Sequence, residues 1–253
     1  MDIIPLILSL GLLAPQNPTL QKQKQVLVDF RTAQIGSTVR ITATTQRMVL
    51  SKVFRRYLTD EAKCTADFDA SGDSDPLAAA RKAGQIVPSI ADVTSGSFTA
   101  SGQTQTAYVV FVSECNASHA DNLGTKRLAI FSGQQLVADI DLDFKMNIVR
   151  KTDLNSDGID ELLMTGGDMN QGTVVEVAGL LSFQNGRLRV IQDFGTVTED
   201  SCASGIPGSA IKASVLSISD VVPGQMPKLL MDNYQSTCRK VKRWRFLSKG
   251  KMS

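Results

Sequence analysis

In Asp153-Leu-Asn-Ser-Asp-Gly-Ile-Asp-Glu161, oxygen-bearing side chains stand at alternate positions around a glycine. With Asp153 as position one, the side chains of Asp153, Asn155 and Asp157 fill positions one, three and five. Gly158 falls at the bend, where a positive φ is cheap. Ile159 then offers its carbonyl and Glu161 its carboxylate. A hard cation such as Ca2+ takes six to eight oxygens at about 2.3–2.6 Å, and alternate residues of a tight loop can all point inward to supply them. The spacing therefore predicts a calcium site with Asp153, Asn155, Asp157, Ile159 and Glu161 as ligands. An ordinary polar hairpin needs only two turn-forming residues, whereas this stretch holds four acids and an asparagine.

Few other residues offer comparable chemistry. A nucleophile–base–acid set usually needs a histidine, and the chain has one. His119 lies in Cys115-Asn-Ala-Ser-His119, which reads as a disulfide cysteine and a loop histidine rather than a catalytic pair. Glu114, Asp141, Asp143 and Glu176 fall in strand-like contexts where a glycosidase carboxylate pair would fit, but nothing singles any of them out. No catalytic residue is assigned. Asp67-Phe-Asp-Ala-Ser-Gly-Asp-Ser-Asp75 repeats the oxygen pattern before a glycine. No strand flanks it and Asp75 suits a helix N-cap, so it reads as an acidic loop, with a second calcium loop as the alternative. Asn116-Ala-Ser118 matches a glycosylation acceptor, a pattern frequent by chance.

The elements around the first loop decide what it belongs to. An EF-hand requires a bidentate Glu at position twelve, an apolar residue at position eight and flanking helices. Here those positions are Met164 and Asp160, and the flanks 146–150 and 162–165 read as strands. The string Val149-Arg-Lys-Thr-Asp-Leu-Asn-Ser-Asp-Gly-Ile-Asp-Glu-Leu-Leu-Met164 resembles the FG-GAP and VCBS type of calcium loop. That resemblance implies a long hairpin turn between two strands of an integrin-like, propeller-blade-like sheet, with a structural metal.

Internal similarity extends the pattern. Three copies of one unit span about 92–145, 146–200 and 210–253. Their turn glycines recur as Gly102, Gly158 and Gly224, and phenylalanines recur as Phe131, Phe183 and Phe246. Each copy reads as a four-stranded antiparallel meander, with Asn185-Gly186 a strong hairpin signal in the second. Only the middle copy keeps the acids. The others place Thr99, Ser101 and Gln103, or Ser219, Asp220 and Pro223, around their glycines, so hydroxyl and backbone hydrogen bonds should hold them. The expected fold is mainly β, with three blade-like repeats in a propeller-like or open stack. Closed propellers have four or more blades.

Ahead of the β-repeat domain (92–253), residues 17–91 form an N-terminal segment with helices. Residues 43–58 place Leu50, Val53, Phe54, Tyr57 and Leu58 on one helical face. A second helix should start at Asp75-Pro76 and run to Lys82. Residues 1–16, with the apolar run Ile3–Leu13, read as a signal peptide, too short for a transmembrane segment. Export to the envelope, periplasm or medium follows. The four cysteines suit an oxidising compartment, with Cys64 paired to Cys115 and Cys202 to Cys238 on nearest-neighbour grounds. Seven of the 27 basic residues fall within 239–251, after all 25 acidic ones. Arg239, Lys240, Lys242, Arg243, Arg245, Lys249 and Lys251 read chiefly as charges guarding an edge strand, with polyanion contact as the alternative. The favoured function is an exported, calcium-binding, non-enzymatic binding or scaffold protein for a protein or glycan ligand, without specific nucleic-acid recognition. The runner-up is a secreted calcium-dependent hydrolase acting on polysaccharide or phosphoester.

Overall fold

The computed structural model describes residues 24–32, 40–53, 89–111, 126–142, 147–239 and 242–250. The expected signal peptide, the second helix, the 67–75 loop, Cys64, Glu114, Cys115, Asn116, His119 and Asp143 all lie outside them. Among the described residues, the fold is mainly β. Strands β1 (Gln25–Asp29) through β12 (Arg245–Lys249) are accompanied by one α-helix, α1 (Ala43–Val53).

Strands β2 (Ser89–Gly96), β3 (Gln105–Phe111), β4 (Lys126–Ser132) and β5 (Gln135–Asp141) form an antiparallel meander of their own. This four-stranded sheet covers the span expected of the first repeat and begins slightly earlier, at Ser89. The other two expected blades are not found as separate sheets. Strands β6 (Asn147–Thr152), β7 (Glu161–Asn170), β8 (Thr173–Ser182), β9 (Arg189–Asp200), β10 (Ala210–Ser219), β11 (Lys228–Thr237) and β12 continue as one curled sheet. The junction is short, because β9 and β10 pair only through 198–200 and 211–213. Beyond it, β1 takes the vacated edge of β10, from Gln25 opposite Ile218 to Asp29 opposite Val215. Of the four strands expected over 210–253, the described residues hold three, β10, β11 and β12, and the strand beside β10 comes from the N-terminal segment.

Burial explains the strand sequences. In β3 and β4 the runs Ala107–Val110 and Leu128–Phe131 are buried at successive residues, because both faces of the small sheet are covered. One face, with Phe98, Val109, Leu128 and Ile130, packs on Leu162, Met164, Leu181 and Phe183 of the large sheet. The other, with Tyr108, Val110 and Phe131, packs under Val49 and Val53 of α1. Each such side chain, fully buried, contributes about 1.5–3 kcal/mol. The helix starts where the Thr42 hydroxyl accepts a hydrogen bond from the Thr45 amide (3.1 Å), an N-cap. Its Lys52 reaches the Gln134 carbonyl in the β4–β5 turn (2.8 Å). A third core gathers Leu27, Val28, Phe30, Leu163, Leu180, Leu216 and Met231 inside the large sheet.

The Cys202–Cys238 disulfide is present and ties the β9–β10 connection to the end of β11. Its expected counterpart, Cys64–Cys115, falls outside the described residues. On the outer side of β11, Arg31 lies 4.3 Å from the Tyr234 ring centroid and its guanidinium holds Asp29. Tyr234 meets Phe246 of β12 edge-on. That clamp secures β1 and β12 to the same strand. All five residues of β12 are exposed and it ends the sheet, as the basic edge-strand reading anticipates. No helix among the described residues is long and apolar enough to cross a membrane.

Candidate metal loop and the seam around it

The 153–161 loop joins β6 to β7, whose last pair is Thr152 with Glu161. Strands flank it on both sides, as the sequence predicts and as an EF-hand would not allow. Leu154 and Ile159 are buried, so two apolar side chains anchor the loop and leave its polar ones on the other side. Ser156 and Gly158 both take positive φ, and Gly158 also lies so close to Ser101 that a Cβ there would collide with its hydroxyl. Glycine is needed on both counts.

The predicted ligand residues are gathered around the loop's own amides. Asp153 accepts from the Asp157 amide (3.1 Å) and the Gly158 amide (2.9 Å). Asp157 accepts from the Ile159 amide (2.8 Å) and from the Asn155 side-chain nitrogen (2.9 Å). Asn155 Oδ1 also accepts from the Asp157 amide (3.2 Å). Glu161 is 3% exposed and accepts from the Leu154 amide (2.9 Å). Burial pushes its pKa up to about 7, and the neighbouring charges of Asp157 and Asp153 add to the shift.

Whether a hard cation suits this loop divides into kind and placement. In kind the donors fit: carboxylate, amide and carbonyl oxygens, with negative charge near a buried Glu that the Leu154 amide and its own amide only partly offset. In placement the carboxylates are turned to backbone amides. Among the described residues, no three His, Cys, Asp or Glu side chains stand together as a metal-ligating group.

Asp160 does something the sequence did not indicate. Its amide donates to the Ser97 carbonyl (2.6 Å), and its carboxylate accepts from the Ser97 amide (2.8 Å). Gly96 makes room, since a Cβ there would meet that carboxylate. Lys151 lies 3.8 Å from Asp160 and donates to the Ser95 carbonyl (2.7 Å). These contacts belong to a polar seam between the two sheets. Asp92, itself buried, accepts from the Ile148 amide (2.8 Å), and the Asn185 amide donates to the Thr99 carbonyl (2.8 Å). On the far side of the loop, the Gly224 amide donates to the Asn155 carbonyl (2.6 Å). The three turns that correspond in sequence therefore meet in space, with the acidic one between the other two.

The sister turns are held without acids at the ligand positions. In the first, the buried Gln105 side chain accepts from the Phe98 and Thr99 amides and donates to the Thr99 hydroxyl, while Ser97 donates to the Gln103 carbonyl (2.7 Å). In the third, Gln225 closes on Val222. Of the carboxylates weighed for hydrolysis, Asp141 lies on the small sheet in an ion pair with Arg127, and Glu176 lies on β8 of the large sheet.

A shallow groove of about 220 Å³ and mixed lining opens where β9 and β10 part, with Val197, Ala213 and Leu247 beside Glu199, Lys212 and Asn233. Sequence patterning did not reveal it, because it arises from strand divergence rather than from any local motif. Comparison with known proteins gives no match, whether to family models, curated proteins or solved structures.

Proposed function

We propose that this chain is an exported, non-enzymatic binding or scaffold protein whose β-repeat fold is stabilised by one calcium ion in the 153–161 loop. The observation that supports the reading is the buried Glu161 carboxylate, whose raised pKa owes part to the charges of Asp157 and Asp153, in a strand-flanked loop whose sequence resembles the FG-GAP/VCBS pattern. A bound cation would supply the positive charge that this crowding lacks. Asp153, Asn155 and Asp157 would offer side-chain oxygens, Ile159 its carbonyl and Glu161 its carboxylate. The role is structural: holding a hairpin whose acids otherwise repel one another. Four-strand grouping supports the repeat reading, since β2–β5, β6–β9, and β1 with β10–β12 each make a set of four about the short β9–β10 junction.

Calcium titration of the melting temperature tests this. Extracellular calcium modules bind with Kd of about 10⁻⁴–10⁻³ M. At tenfold excess over Kd, linkage adds about 1.4 kcal/mol, a rise of a few degrees for a domain of this size. Magnesium should not replace calcium, because it demands a smaller and stricter octahedral cage. The reading fails if calcium gives no shift, or if the shift persists unchanged in Asp157→Ala.

A further inference from the structure

The turn before β12 and the strand itself carry more than an edge needs for its protection. Arg239, Lys242, Arg243, Arg245 and Lys249 are all exposed. Among the described residues, none of the five enters an ion pair. Asp232, the carboxylate opposite Lys249, is already held by Lys24. No acidic residue follows Asp232 in the sequence, so positive charge concentrates here while the rest of the chain is net acidic. Apolar side chains stand among these cations. Phe246 is 51% exposed and Leu247 41%, beside a partly buried Trp244.

Guarding a sheet edge takes charges on the strand itself, and β12 has two, Arg245 and Lys249. Arg239, Lys242 and Arg243 precede it, where there is no ladder to protect. Exposed Phe246 and Leu247 work against guarding, because apolar side chains on an edge favour association. Leu247 is also the bulged residue, since Asn233 pairs with Ser248 and Tyr234 with Phe246. Phe246 meets Tyr234, and Leu247 borders the groove between β9 and β10. Because β12 ends the sheet, both can reach a surface laid along its outer edge.

We propose that residues 239–249 dock this protein edge-on to a bilayer containing anionic phospholipid. The five cations would meet headgroup phosphates, and Phe246 and Leu247 would enter the layer beneath them. A sulfated glycan or a nucleic-acid backbone would satisfy the same cations but leave Leu247, which has no ring to stack on a base, in water. A lipid surface offers negative charge and an apolar layer together. The proposal does not depend on calcium in the 153–161 loop.

Co-sedimentation of the full chain in EDTA tests it, with vesicles of phosphatidylcholine alone or mixed with phosphatidylglycerol. Binding should need the anionic lipid and weaken in molar salt, where the Debye length falls to about 3 Å. Each basic residue near such a surface is worth about fivefold in partitioning, so Arg239→Gln with Arg243→Gln should weaken binding about twenty-fivefold. Leu247→Ser should weaken it at least about threefold and leave retention on heparin unchanged. Equal binding to both vesicle types, or binding to neither, overturns the proposal. So does tight retention on heparin with vesicle binding that Leu247→Ser leaves intact, which would mark a polyanion site instead. If Leu247→Ser disturbs the edge, brominated phospholipid decides on the unaltered protein: the single tryptophan, Trp244, should be quenched by mixed vesicles, and no quenching overturns the proposal.

Discussion

At the scale of single residues, Glu161 carries the sharpest consequence. Its pKa is raised from the ordinary carboxylate value of 4.5 to about 7, mainly by burial. A raised pKa means the metal-free folded state holds a proton that the unfolded chain has released. Stability should therefore be highest below about pH 4.5 as far as this group is concerned, and its contribution should be lost as pH rises toward 7. Denaturant unfolding in EDTA at pH 5 and pH 8 reads this directly. Glu161→Gln should flatten the difference, raise metal-free stability at pH 8 and abolish any calcium response. A variant still destabilised between pH 5 and 8 by the same amount would locate the titration elsewhere. Gln105 offers a second test. It is 3% exposed and serves the Phe98 and Thr99 amides, and leaving buried donors unpaired costs about 1–3 kcal/mol each. Gln105→Leu should lower unfolding free energy by about 2–6 kcal/mol, read by denaturant unfolding.

At the scale of elements, the N-terminal strand is decisive. β1 fills the edge of β10 that β9 leaves open, and its Arg31 clamps Asp29 and Tyr234. The Arg31 guanidinium holds the Asp29 carboxyl below its usual range, chiefly through their side-chain hydrogen bond. Both groups are partly exposed, so Arg31→Ala should cost only about 1 kcal/mol. Faster amide exchange confined to β1 and the facing half of β10 would mark the loss, whereas an effect spread evenly over the sheet would argue against a local clamp. Removing β1 altogether would uncover Leu27, Val28 and Phe30 contacts in the large-sheet core and leave a bare strand edge prone to association.

For the whole molecule, the Cys202–Cys238 bridge closes a loop with a sequence separation of 36 and spans β10 and β11. Constraining a loop of that length is worth about 4 kcal/mol on chain-entropy grounds. Replacing both cysteines by serine should lower the denaturant midpoint accordingly, as read by fluorescence of the single tryptophan, Trp244, which packs on that core. An unchanged midpoint would mean that the folded sheet gains nothing from the bridge. The two sheets meet over an apolar core bordered by the polar seam of Asp92, Lys151, Asp160 and Asn185.

The sequence by itself determined the local content: the placement of strands, the hairpin that carries the acidic loop, and the recurrence of Gly102, Gly158 and Gly224. Such features depend on a residue's near neighbours and on side-chain period, which a linear reading preserves. It also paired Cys202 with Cys238, although nearest-neighbour order is a weak physical reason. Tertiary structure decided the rest. Whether β1 takes the edge of β10 depends on pairings nearly two hundred residues apart, for which local pattern holds no information, and β9 joins β10 through three pairs only. The meeting of three turns and the turning of Asp160 toward Ser97 likewise follow from how the sheets pack. A carboxylate's partner in the folded chain is set by what lies across the seam, and no spacing rule encodes that.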